Sequence, residues 1–87
     1  MKRKDGFILQ TIGEDTFAVA VTPAAATVGS MVKLNPTAAY LFELLEKEHT
    51  EAECVDAILA RYDIDRAIAE RDVRLFLTRL GEAGLLA

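Results

Sequence analysis

The chain has no tryptophan, one cysteine, one histidine and two prolines among its 87 residues. Each scarcity removes a class of function. Cys54 alone cannot close an internal disulfide. With His49 as the only imidazole, neither a Cys-His nucleophile pair nor a multi-ligand metal site has enough members without leaning on carboxylates. The five glycines stand apart at Gly6, Gly13, Gly29, Gly81 and Gly84, so no glycine-rich phosphate loop is present. The basic start Met1-Lys2-Arg3-Lys4 runs into Asp5-Gly6, and the short apolar run after it contains Gln10 and Thr11. That pattern is neither a signal peptide nor a membrane span. The expectation is therefore a cytoplasmic chain with no catalytic residues, no metal and no cofactor, and any function must be one of surfaces.

What is present is the material of a folded domain. Hydrophobic residues make up 52% of the chain and charged residues 28%, a balance that favours a core over disorder. A single domain over residues 1–87 is expected, burying about 60–65% of the surface its unfolded form exposes. Fourteen acidic against ten basic residues leave a net charge of -4, which argues against a broad electrostatic footprint for phosphate backbones.

Along the chain, Phe7 to Ile12 is rich in β-formers, Gly13-Glu14-Asp15 marks a turn, and Thr16 to Val21 alternates large and small side chains. Two strands over about 7–12 and 16–22 in a hairpin are predicted. On the second, Phe17, Val19 and Val21 share one face while Ala18 and Ala20 share the other. One side is expected to meet a core, and the other to tolerate only small groups or solvent. Pro23 ends the strand. Pro23 to Ser30 reads as a mobile connection whose alanines could form a helical turn, and Met31 to Leu34 as a short third strand.

Three helices are predicted after it. Asn35 is a good N-cap with Pro36 at the first helical position, opening a helix over about 36–47 with a Leu41, Leu44, Leu45 stripe. Thr50 and Glu53 form a capping box for a helix over about 51–62, with Val55, Ile58, Leu59 and Tyr62 on its buried face. Asp65 can cap a last helix over about 66–83, which stops at Gly84. The order βββααα specifies an α+β domain, a three-stranded antiparallel sheet followed by three helices, and this arrangement is like a winged helix-turn-helix.

On a wheel of about 100° per residue, Ala69, Val73, Phe76, Leu77 and Leu80 of the last helix form a core face. Ile68, Asp72, Leu75 and Arg79 form a second arc, two apolar groups alternating with an acid and a base. A purely solvated face has no need of Ile68 and Leu75. A winged-helix DNA-binding regulator is the alternative reading. It predicts positive charge concentrated on the outer face of that helix, whereas Arg66, Arg71, Arg74 and Arg79 are spread around the cylinder and offset by Asp65, Glu70, Asp72 and Glu82. Nucleic acid is not the expected partner.

Leu34-Asn35-x-Thr37-Ala38 opening an apolar helix, Thr50-Glu51-x-Glu53, Tyr62-Asp63-Ile64, Asp72-Val73-x-x-Phe76-Leu77-x-x-Leu80 and a final Gly84-Leu85-Leu86, in that order, resemble the PqqD family. This is the family of the coenzyme pyrroloquinoline quinone synthesis protein D, whose domain is also called the RiPP recognition element, after ribosomally synthesised and post-translationally modified peptides. The resemblance covers the chain from Phe7 onward. It implies a non-catalytic domain that binds the leader of a precursor peptide and presents it to a modifying enzyme, often a radical S-adenosylmethionine protein. The leader would add as a strand beside the third strand, in the groove before the last helix. Carried over, those positions are Met31, Val32, Lys33 and Leu34 opposite Ile68, Asp72, Leu75, Phe76 and Arg79.

Strand order leads to the same groove. With the second strand central, the first and third are edges, and an edge carries unpaired N–H and C=O groups that invite another strand. The first edge has Lys2, Arg3, Lys4 and Asp5 at its start as deterrents, and the third has only Lys33. The open edge could also pair with itself in a homodimer, or the hairpin could exchange between subunits across the Pro23 to Ser30 connection.

Overall fold

A computed structural model describes residues 1–27 and 31–87 of the chain. Phe7–Ile12 (β1) and Asp15–Ala20 (β2) pair antiparallel from Phe7 opposite Ala20 to Ile12 opposite Asp15. Gly13 and Glu14 form the loop between them. Gly13 has φ of +65° and Glu14 a negative φ, as in a two-residue type II′ turn, whose twist matches the strands it joins. Met31–Leu34 (β3) pairs with the other side of β2, which is central, and β1 and β3 are the edges.

Between β2 and β3 the chain makes one helical turn, Pro23–Ala26 (α1). Thr22 caps it, its Oγ1 accepting from the Ala25 N–H at 3.1 Å. The turn that the alanines allowed is formed, and the second strand is shorter than expected. β2 ends at Ala20 because Thr22 is spent on the cap, and Pro23 starts a helix where its missing N–H costs nothing. The rest of the expected connection, Val28 to Ser30, lies outside the described residues.

The face of β2 that meets the core is the small one. Ala18 is completely buried, whereas Phe17 and Val19 are half-buried and Val21 is exposed. The helices lie directly against the sheet at Ala18, flanked by Phe7, Leu9 and Ala20 from β1 and β2 and by Val32 and Leu34 from β3. The helices approach β2 most closely where Cβ is the whole side chain, and the bulky residues of β2 itself, Phe17 and Val19, stand on the outer face.

Pro36–Leu44 (α2) follows β3 with one residue between them. Asn35 is that residue, its Oδ1 accepting from the Ala38 N–H at 2.7 Å. Glu51–Arg61 (α3) opens on the expected capping box: Thr50 Oγ1 accepts from the Glu53 N–H at 3.1 Å and Glu53 Oε1 from the Thr50 N–H at 2.8 Å. The backbone N–H of Thr50 holds the Glu53 carboxyl below the usual range. Arg66–Glu82 (α4) has Asp65 at its N-cap, without the expected side-chain bond. α2 and α3 each end before the predicted limit, and Tyr62, the C-cap of α3, is half-buried against the core. α2 packs on β2, β3 and α3, and α4 packs on α3. Leu41, Phe42, Leu45, Ile58, Val73 and Leu85 fill the centre.

α4 ends in a full Schellman motif. The Leu85 N–H donates to the Leu80 carbonyl at 2.9 Å and the Gly84 N–H to the Gly81 carbonyl at 3.1 Å, with Gly84 at φ +75°. Leu85 is thereby turned back under the helix and buried. Replacing Gly84 by alanine is expected to cost about 1–2 kcal/mol, since a Cβ in left-handed backbone meets the following carbonyl. Urea unfolding measures it, and a loss below about 0.3 kcal/mol would mean the cap rearranges freely.

The tail runs beside the amino-terminal residues, with Lys4 N–H on the Leu85 carbonyl and Ala87 N–H on the Lys2 carbonyl, both at 2.8 Å. Arg3, expected as a charged deterrent at the first edge, is instead 9% exposed. Its Nε donates to the Phe42 carbonyl and its guanidinium lies 4.7 Å from the centre of the Phe42 ring. The planar, weakly hydrated cation is accommodated by a carbonyl and a π-face where an ammonium would not be.

Candidate functional site

The edge that β3 presents can be read from the hydrogen-bond register. The Val21 N–H donates to the Gly6 carbonyl at 2.7 Å, so Gly6 and Val21 form a hydrogen-bonded pair. In an antiparallel ladder such pairs alternate. Ile8–Val19, Gln10–Phe17 and Ile12–Asp15 therefore bond across β1 and β2, which leaves Thr16, Ala18 and Ala20 to bond toward β3. Their partners are Leu34 for Thr16 and Val32 for Ala18. Val32 and Leu34 thus spend their backbone groups on β2. Met31 and Lys33 turn theirs outward, and these are the open groups of the edge.

Beside that edge lies a cavity of about 370 Å³, lined by Val32, Lys33, Leu34, Asn35, Thr37, Ala38 and Leu41 on one wall and by Asp72, Leu75, Phe76, Arg79, Leu80, Ala83 and Leu85 on the other. Because α4 packs chiefly on α3, a trough remains between strand and helix. Its floor is apolar: Leu34, Leu41, Leu80 and Leu85 are buried, and Phe76 is half-buried. Leu75 is 47% exposed on the rim. The rim carries both signs. Asp72 is 3.4 Å from Arg71, and Arg79 has no ion pair among the described residues.

Seven of the nine residues expected from sequence, namely Val32, Lys33, Leu34, Asp72, Leu75, Phe76 and Arg79, line this one cavity. Met31 and Ile68 do not. Met31 is at the start of β3 with its side chain 51% exposed, and Ile68 is 38% exposed in the first turn of α4. The sequence reading missed the wall made by Asn35, Thr37, Ala38 and Leu41 and the floor made by Leu80 and Leu85. Two signals for them existed: a helix joined to β3 by one residue must close that end of any groove, and a glycine stop followed by two leucines turns the tail inward.

The other polar groups are committed elsewhere. Arg66 pairs with Asp56 at 3.4 Å, Arg71 with Asp72 at 3.4 Å and Arg74 with Glu51 at 3.9 Å, so three of the four arginines on α4 lie beside carboxylates. Cys54 is fully buried, and burial raises the pKa of its thiol, which keeps it neutral and unreactive. His49 is half-buried, with Nδ1 3.0 Å from the Lys47 carbonyl. Among the described residues no group of three or more His, Cys, Asp and Glu could hold a metal ion, and no helix is long and apolar enough to cross a membrane.

Comparison with known proteins places this geometry. No curated protein matches the sequence. A solved structure described as TbiB1 in complex with the TbiA(beta) leader peptide is 31% identical, with a TM-score of 0.74 over 99% of this chain and 94% of that one. Another, described as lasso peptide synthetase B1 complexed with the leader peptide, is 23% identical and shares the fold, with a TM-score of 0.70 over 97% of this chain and 93% of that one. The family model for coenzyme PQQ synthesis protein D matches residues 7–86, from the first strand to the buried tail, and on that match the chain belongs to the PqqD family.

Proposed function

We propose that this chain is a non-catalytic adaptor that binds the leader of a ribosomally made precursor peptide as an added strand on β3 and presents the rest of the peptide to a modifying enzyme. The observation that carries the reading is an edge strand whose outward backbone groups have no partner among the described residues, beside an apolar trough with charges of both signs at its rim. Backbone pairing supplies affinity for any extended segment, and the trough selects alternate side chains. Met31, Val32, Lys33 and Leu34 form the strand side of the site, and Asp72, Leu75, Phe76 and Arg79 the helix side, with Ile68 at its far end. Membership of the PqqD family and similarity to a chain described in complex with a leader peptide support it. The enzyme served is of the radical S-adenosylmethionine class where the pathway is PqqD-like.

Titration of isotope-labelled protein with the TbiA(beta) leader, and with the precursor encoded beside this chain's own gene, tests the reading. Amide resonances of Met31 to Leu34 and of Asp72 to Arg79 are expected to shift together. Failure of the chain's own precursor to bind, or binding that moves neither set, would overturn it.

A further inference from the structure

The trough faces inward, yet β3 has an outer face too, and what lies on it is unusual for a surface. Side chains alternate along the three strands, so Ile8, Val19 and Met31 stand in one row across the outer face, and Gln10, Phe17 and Lys33 in the next. Ile8 is 49% exposed and Met31 51%, and Ile12 and Val21 are also exposed. An apolar row of this kind ordinarily continues to a neighbour on the next strand. Here the row stops at Met31, on the open edge.

Met31 and Lys33 are also the two residues whose backbone groups point off the edge. The same two positions therefore offer hydrogen bonds to a guest strand and, on the outer face, the side chains that its outward residues would touch. Lys33 Nζ is 3.3 Å from Asp15 Oδ1, and both side chains are at least half exposed. An exposed pair of this kind holds its partners weakly, so the ammonium remains available to a second carboxylate arriving beside it.

We propose that the guest strand is read on both faces. Inside the trough, residues beside Val32 and Leu34 meet the apolar floor. Outside it, a residue beside Lys33 is acidic and a residue beside Met31 is apolar, so the peptide carries an acid and an apolar side chain two positions apart on the face turned away from α4. The inference rests on strand addition at β3 and adds to it a chemical class of peptide and two specificity residues that act outside the trough.

Selection from a library of random twelve-residue peptides displayed against the whole chain tests it, with the selected peptides themselves as probes. The expected result is binders that shift the Met31 to Leu34 amides and share an acidic and an apolar residue at i and i+2. Selection against Lys33→Glu should exchange the acid for lysine or arginine at that one position, and selection against Met31→Ser should lose the apolar preference at the other. Affinity of an acid-bearing binder should fall about threefold to tenfold in Lys33→Glu. Lys33→Gln, which adds no repulsion toward Asp15, should show a smaller loss with the same sign. Binders that shift the β3 amides equally in all variants, with unchanged preferences, would overturn the outward reading and leave strand addition standing. If no selected peptide shifts those amides, strand addition itself fails. Shifts at Ile8, Val19 and Met31 that follow protein concentration instead of peptide would assign the row to a second copy of the chain and overturn the proposal.

Discussion

Replacing Phe42 by alanine is expected to lower the free energy of unfolding by about 3–5 kcal/mol. The ring is fully buried, packs edge-on against Phe7 at 6.2 Å between centroids, and lies under the Arg3 guanidinium. Its loss opens a cavity where sheet and α2 meet, and it also removes the π-face that accommodates a buried cation. Cavity and cation act in the same direction. A domain of this size has roughly 4–13 kcal/mol of stability in total, so the substitution should remove a large fraction of it. Urea unfolding of the two proteins gives the difference directly. A loss under about 1 kcal/mol would mean that the neighbours collapse into the space and that Arg3 finds water.

The second prediction separates the fold from the function within adjacent residues. Lys33→Pro removes an N–H that points off the edge, so the β2–β3 ladder should survive and the unfolding midpoint should move little. Val32→Pro removes an N–H bonded to Ala18 and should detach β3 from the sheet. Leader binding by Lys33→Pro should weaken about tenfold or more, the equivalent of one lost hydrogen bond and the ring's intrusion on the guest. Calorimetric titration and thermal unfolding of both variants decide the matter. If Lys33→Pro unfolds while Val32→Pro does not, the register is shifted by one residue and the trough lies on the other face.

Local chemistry made much of this architecture readable. The β1–β2 turn at Gly13, the Asn35-Pro36 start of α2, the capping box at Thr50 and the glycine stop at Gly84 each depend on a few neighbouring residues, and each stands where the sequence indicates. The failures concern distance. Whether Ala18 or Val19 faces the core depends on how near the helices come, which no strand pattern states. Arg3 is charged, and nothing near it in sequence announces a phenylalanine ring 39 positions away to receive it. The trough was partly visible because a second apolar arc on α4 had no use within the helix itself. Its far wall and floor were not, since Thr37, Leu41 and Leu85 belong to it only through the junction at Asn35 and the returning tail.

The register of β3 has a consequence in time as well as in space. Amides at Val32 and Leu34 point to β2 and should exchange with solvent only when the sheet opens, whereas those at Met31 and Lys33 point off the edge and should exchange faster. In the unbound chain, protection should alternate residue by residue along a four-residue strand. A guest strand would slow the two fast amides to the pace of their neighbours, so that the strand's exchange clock itself records whether the edge is occupied.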